Sequence, residues 1–277
     1  MADSGLQFGP RLVSHPTGAL RAVMLARPSR AIEDARPLPG EPNAILSRAL
    51  AELDVFASTL RYFNCAVSLI DGLSRDPWAC ALADLAVIFE NGAVMMRPSA
   101  MRRRSEIAVF VNELERRDIP IAGHIAAPAL IGGSDVLMMG DCAFIGRSDR
   151  NNALGRTGFT QIAQAHGLRA VEVQLFEKNA SLRAVAGAVA SDTIVFAQGG
   201  LDPAAFEGFK TIAVEHEQSL GAGVLNLGEH HVLADIRFPR CSDRLRAAGT
   251  TVEAIDLYDY SRVGITPSML VIDLKRI

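Results

Sequence analysis

A chain of 277 residues with 49% hydrophobic and 21% charged content is long enough to bury a substantial core. A formal net charge of −3 excludes the basic footprint of a nucleic-acid binder, and the run Arg102-Arg103-Arg104 reads as a solvated helix start. No apolar stretch reaches the roughly 18 residues of a membrane span, so no membrane partner is expected.

Met1-Ala-Asp-Ser4 has no basic flank leading into an apolar core, the pattern of a secretory signal, and a cytoplasmic protein is expected. Cys65, Cys80, Cys142 and Cys241 show no CxxC or CxxH spacing and are read as reduced thiols.

In chain order, a strand over 21–26 opens the pattern, followed by a proline-rich loop to Pro42, a helix over 45–62 and a strand over 65–70. A hairpin comes next, 85–89 and 93–97 around Glu90-Asn91-Gly92; Asn-Gly between alternating hydrophobics is a strong hairpin signal. Ile107, Phe110 and Leu114 then fall at i, i+3 and i+7, the stripe of a surface helix, ahead of a strand over 119–125.

The pattern repeats. A hairpin over 135–139 and 143–146 precedes a helix over 158–166, stopped at Gly167, and a strand over 170–175. A hairpin over 184–189 and 193–197 precedes a short helix opened by Asp202-Pro203 and a strand over 211–215. The last hairpin, over 223–227 and 231–236, precedes a helix capped by Ser242-Asp243 and stopped at Gly249, then a strand over 252–257. Five units of this size cannot bury their sheets alone and must pack on one another. The expectation is one domain over 1–277, an α/β fold of five ββαβ units closed as a pseudo-symmetric propeller.

Several segments resemble the pentein superfamily of guanidine-modifying enzymes, specifically the dimethylarginine dimethylaminohydrolases and the related arginine deiminases. The stretch 18–28 is similar to that family's first strand and 83–89 to its acidic strand. The turn from Arg97-Pro98 through Arg103-Arg104-Ser105-Glu106 follows it. Gly132-Gly133-Ser134-Asp135-Val136-Leu137 is similar to the GGDVL segment, and 146–152 to the SxRTN segment. Phe238-Pro239, 245–249 and Asp256-Leu257 match the last module. The resemblance implies the pentein fold, an axial pocket, and chemistry at a guanidinium carbon that needs a thiolate, a histidine and carboxylates.

Those groups are missing where the resemblance would place them. The C-terminal GxTC segment is met by Gly264-Ile265-Thr266-Pro267-Ser268, with proline at the nucleophile's place. The Leu-His-Leu-Lys motif is met by Ala180-Ser181-Leu182-Arg183, with Ser181 at the histidine's place. Gly132 or Ile131 stands for the triad carboxylate. Of the carboxylates that hold the guanidinium, Asp84 remains, while Trp78 and Ala83 occupy the other two places. No cysteine follows Cys241.

Arg103 and Arg150 fall on the family's two clamps for the substrate α-carboxylate, and planar guanidinium forks suit that task. Intramolecular or surface ion pairing is their alternative reading. Asp135 is either an orienter of such an arginine or a turn carboxylate. Asp84, Arg103, Asp135 and Arg150 are thus the expected ligand-binding set. The catalytic candidates are Cys80, as a substituted nucleophile or an inert strand thiol; His124, near a strand end; Glu177, as acid or base or a solvated loop end; and Ser181, as a catalytic or backbone-bonded hydroxyl. His230-His231 reads as an exposed turn and His216 as a polar loop residue. No metal and no cofactor is expected, since no ligand cluster or nucleotide motif is present. The expected function is binding of an α-amino acid or related carboxylate with chemistry other than thiol-dependent guanidine hydrolysis. The alternative is a non-catalytic binder of a ligand or partner chain. A homodimer is compatible with the sequence.

Overall fold

Fifteen short strands are spread over five separate three-stranded sheets in the computed structural model, which describes residues 11–177 and 180–277. The stretch Met1-Ala-Asp-Ser4 lies outside the described residues. In the first sheet β1 (Leu20–Ala26) sits beside β2 (Ala66–Ile70), joined through α1 (Leu46–Tyr62). The second holds β3 (Ala86–Phe89), β4 (Gly92–Met95) and, after α2 (Glu106–Glu115), β5 (Ile121–His124). The third holds β6 (Val136–Met139), β7 (Cys142–Arg147) and, after α3 (Ala153–Ala165), β8 (Arg169–Gln174). A short helix, α4 (Leu182–Val185), leads into the fourth, β9 (Ala186–Ala190), β10 (Thr193–Ala197) and β11 (Lys210–Val214). The fifth holds β12 (Leu225–Gly228), β13 (His231–Asp235) and, after α5 (Pro239–Ala247), β14 (Thr251–Ile255). The short α6 (Tyr258–Ser261) and β15 (Val271–Arg276) end the chain.

Every sheet obeys one rule. The middle strand pairs antiparallel with its first neighbour and parallel with its other. In four of the sheets a hairpin serves the antiparallel pair, whereas a parallel pair needs a crossover, which an α-helix supplies in every sheet but the fourth. At the hairpin of the second sheet Phe89 pairs with Gly92, whose φ is +151°. A Cβ there would stand 2.5 Å from the Pro120 carbonyl oxygen, so only glycine fits.

The first sheet departs from the sequence reading in an informative way. Its third strand is β15, from the far end of the chain, antiparallel to β1 with Leu25 opposite Val271. The periodicity leaves the first unit one strand short, and the C-terminus fills the place. Residues from β3, β6, β9, β12 and β15 together line one narrow channel of about 60 Å³, which puts the first strand of each sheet around a common axis. This is the α/β pentein architecture, five propeller-like blades with helices outside.

Three apolar clusters weld the blades. The largest joins β1 and α1 to the third, fourth and fifth sheets. A second joins the first and second sheets through Met24, Leu85, Phe110 and Leu114. A third joins the second and third through Phe89, Ile131 and Phe159. Phe110 and Leu114 are buried and Ile107 packs beside them, as the helical stripe requires.

Three helix boundaries need correction. Helix α3 starts at Ala153, five residues ahead of the expected start at 158, with the Asn152 side chain accepting from Gly155 N–H as its cap. The fourth unit's connection is a single 3-10 turn, Pro203–Phe206, with Asp202 accepting from Ala204 N–H as its cap. Helix α5 starts at Pro239, ahead of Ser242-Asp243; proline's preset φ suits the first helical position, and Ser242 is buried inside the helix.

Candidate functional site

A cleft of about 980 Å³ opens at one end of the blades, lined by Arg103, Arg150, Asp84 and Gly132 on one side and by Trp78, Val185, Leu220, Val263 and Met269 among others. Loops leading into first strands and loops that follow the middle strands build it together, so residues far apart in sequence meet there.

Asp84 lies in the 3-10 turn Leu82–Asp84, just before β3. It is 4% exposed, and both of its oxygens are engaged. Oδ2 accepts from Arg103 Nη1 at 2.6 Å, and Oδ1 accepts from Arg150 Nη2 at 2.9 Å and from the Ser134 hydroxyl. Burial by itself would raise the Asp84 carboxyl, but Arg150 and Arg103 outweigh it and hold it below the usual carboxylate range.

Arg103, 2% exposed, is spent inside the protein. Its Nε donates to Glu106 Oε2 at 3.0 Å, Nη1 to Asp84 and Nη2 to the Ala81 carbonyl at 3.0 Å. It is therefore an intramolecular ion-pair residue and has no free fork for a ligand. Glu106, one helical turn on, is fully buried and also accepts from the Ser74 hydroxyl at 2.6 Å. Burial pushes its carboxyl up.

Arg150 is held differently. Its Nε donates to Asp135 Oδ1 at 3.0 Å, and Nη2 reaches Asp84 and, at 3.2 Å, the Ser134 hydroxyl. Its Nη1 makes no hydrogen bond among the described residues, and the side chain keeps 25% exposure on the cleft. Asp135 is fully buried behind it, its carboxyl raised by burial, with Oδ2 accepting from Gly132 N–H at 3.2 Å. Gly133 lets this turn approach: a Cβ there would lie 2.1 Å from the Ala83 carbonyl oxygen. The paired glycines thus bring Asp135 and Ser134 against Asp84.

Of the catalytic candidates, two line the cleft and two do not. Glu177 sits at the rim, 3.6 Å from His216 Nε2. Ser181 lines the interior, its hydroxyl 3.6 Å from the Met269 sulfur with no base beside it among the described residues. Cys80 is a core thiol, 1% exposed, which burial pushes up to about 12; a nucleophile must be a thiolate near neutrality, so this residue does not qualify. His124 lies on the exposed edge of β5, away from the cleft lining. His231 opens β13 and bonds Glu253 at 3.2 Å, and His230 takes the left-handed turn position at φ +55°. Among the described residues no three metal-ligating side chains gather.

The segment over 36–39 roofs the cleft and was legible only as a proline-rich loop. It is tied to the last unit. Leu38 N–H donates to the Arg262 carbonyl at 2.7 Å, Arg262 Nη1 to the Asn43 carbonyl at 2.6 Å, and Arg237 Nη2 to Glu41 at 2.5 Å. Asp259, fully buried, accepts from Ile45 N–H at 2.7 Å and pairs with Arg48 and Arg262. Beneath it the Glu52 carboxylate accepts the Asp259 N–H at 3.0 Å.

Burial pushes the Glu52 carboxyl up to about 8, and the Asp259 charge adds to this against the backbone hydrogen bond. A carboxyl with a raised folded pKa favours the fold most below its unfolded value of about 4.3. That contribution is lost as pH rises to about 8. Glu52→Gln, which keeps an acceptor and cannot ionise, is expected to flatten the fall in melting temperature between pH 5 and pH 9. An equal fall in the variant would assign the loss to other groups.

No family model matches the sequence. A dimethylarginine dimethylaminohydrolase of Pseudomonas aeruginosa is 25% identical over 224 residues, 81% of this chain and 87% of that protein. One from Streptomyces coelicolor is 26% identical over 216 residues, 78% of this chain and 81% of that protein. The chain is homologous to dimethylarginine dimethylaminohydrolase. The solved Pseudomonas aeruginosa structure, a cysteine-to-serine mutant complexed with citrulline, superposes with a TM-score of 0.80 at 22% identity, covering 92% of this chain and 99% of that one. The fold of that structure therefore agrees with the blade count reached from the strands.

Proposed function

We propose that this homologue binds an α-amino acid or a related small carboxylate in the cleft, and that whatever chemistry occurs there does not use a thiol on a guanidine. The observation that carries the reading is Arg150. Asp135 and Asp84 fix its guanidinium from two sides, while Nη1 makes no hydrogen bond among the described residues and the side chain lines the cleft. A permanently charged donor held in place by buried carboxylates is preorganised for a ligand carboxylate, with little entropy left to lose on binding. Arg103 contributes indirectly, by sharing Asp84 and so fixing the orientation of that carboxylate.

Melting shifts with arginine, methylated arginines, citrulline, ornithine and dicarboxylic amino acids test this. A ligand at about a hundred times its Kd stabilises by roughly 2.7 kcal/mol. The wild type is expected to shift with at least one of them, Arg150→Ala to shift with none, and Arg150→Lys to keep the charge but lose most of the affinity. A folded wild type that shifts with no amino acid would overturn the reading.

One observation favours a second reading, a ligand-binding protein without a reaction of its own. The cleft hydroxyl of Ser181 faces a methionine sulfur, and the hydroxyl of Ser268, which lines the narrow axial channel, lies 3.4 Å from Thr266 Oγ1 and from the Arg183 carbonyl. Among the described residues neither has a base to activate it. Mass analysis of the bound ligand after prolonged incubation separates the two: an unchanged ligand supports the binder.

A further inference from the structure

The carboxylate reading says how one end of a ligand is held; the rest of the cleft says what the other end is. The carboxylates that line the cleft already have partners. Asp84 serves Arg103, Arg150 and Ser134. Asp76, 8% exposed, accepts the Trp78 N–H at 2.9 Å through Oδ1. Glu177 pairs with His216 at the solvent rim. Against these three carboxylates the cleft lining carries four arginines, Arg36, Arg102, Arg103 and Arg150. A cationic side chain entering this cleft would lose water and would have to share carboxylates that already serve Arg103, Arg150 and His216.

Apolar atoms dominate the remaining surface. Trp78 is clamped in it by two bonds, its backbone N–H to Asp76 and its indole Nε1–H to the Val263 carbonyl at 3.1 Å. With the polar edge of the ring satisfied, what it presents to a ligand is a fixed hydrophobic face. Val185, Leu220, Val263 and Met269 continue that surface, and Leu38 in the roofing segment faces the same cleft. Methionine packs adaptably against aromatic and aliphatic groups alike.

We propose that the cleft selects a small carboxylate whose other end is uncharged and apolar or aromatic, with Trp78 as the residue that reads it. This rests on the carboxylate reading of Arg150, and the experiment separates the two. Trp78 is the sole tryptophan of the chain, so its emission reports the cleft directly in the intact protein. Titration with phenylalanine, leucine, phenylalaninamide, arginine and dimethylarginine is expected to perturb the emission with phenylalanine and leucine, which bind at least tenfold more tightly than the two guanidines. That ratio is about what burying one apolar side chain supplies. Calorimetry is expected to give a loss of roughly tenfold or more in phenylalanine affinity for Trp78→Ala, and near-wild-type affinity for Trp78→Phe.

Arginine or dimethylarginine binding most tightly, with sensitivity to Arg150→Lys, would overturn the apolar selection and leave the carboxylate reading standing. Phenylalaninamide binding as well as phenylalanine, or indifference to Arg150→Lys, would overturn the carboxylate reading. Absence of binding by every compound would overturn both.

Discussion

Asp84→Ala is expected to destabilise the protein by about 3–5 kcal/mol, the cost of removing one partner from a buried ion pair. The magnitude follows from what the carboxylate touches. It is buried and pairs with two guanidinium groups, one of which, Arg103, has 3% of its side chain exposed. Without it Arg103 retains Glu106, and Arg150 retains Asp135. Both of those carboxyls are raised by burial, so they are poorer counterions than the one lost. For a chain of this size the loss corresponds to a fall of roughly 10 °C in melting temperature. Its pH dependence is also fixed in sign. The folded Asp84 carboxyl lies below its unfolded value of about 3.9, so its contribution is complete above that value and disappears as pH falls through the folded one. The gap between wild type and variant is therefore expected to stay constant from pH 7 to pH 5 and to close only in stronger acid. Asp84→Asn, which keeps the shape and loses the charge, should fall between the two. A change under about 1 kcal/mol for Asp84→Ala would mean that this network does not hold the mouth of the blades together.

The blades were the part of this molecule most open to reading from sequence, because each is local. Asn91-Gly92 between two apolar runs, the stripe from Ile107 to Leu114 and the stop at Gly167 depend on neighbours within a few residues. What escaped was long-range. The partner of β1 is β15, and nothing near Leu20 announces that Val271–Arg276 will lie beside it. The start of α5 was misplaced because Ser242-Asp243 resembles a cap while Pro239, three residues earlier, is the stronger start.

The site divides in the same way. Spacing and resemblance marked Asp84, Arg103, Asp135 and Arg150, and the fold brings all four into one network. Their division of labour was not legible. Whether an arginine fork is open or spent depends on groups 3, 19, 15 and 66 residues away in sequence. Glu106 did carry a signal, since it stands three residues after Arg103, the separation at which helical charges meet. The roof over the cleft had no such signal, because its anchors Asp259 and Arg262 come from the opposite end of the chain.

Incubated with dimethylarginine or arginine, the protein is expected to release no citrulline above the enzyme-free background. All four cysteines are buried, and burial pushes their thiols up to about 12 for Cys65, Cys80 and Cys241 and about 11 for Cys142. Even at pH 8 such a thiol is ionised in only about one molecule in ten thousand, or about one in a thousand for Cys142. Near the C-terminus, where the resemblance would place a nucleophile, Pro267 opens the 3-10 turn Pro267–Met269 and offers no attacking atom. Ser181, at the place of the proton donor, has a pKa far too high to exchange protons near neutrality. Restoring two residues should not be enough. In Ser181→His with Pro267→Cys, Trp78, Ala83 and Gly132 would still stand where the resemblance places carboxylates, and Asp84 would remain tied to two arginines. That double variant is therefore expected to stay at background as well. Citrulline release by the wild type that disappears on thiol alkylation would overturn this, and would require one of the buried cysteines to reach the cleft in a conformation other than the one described.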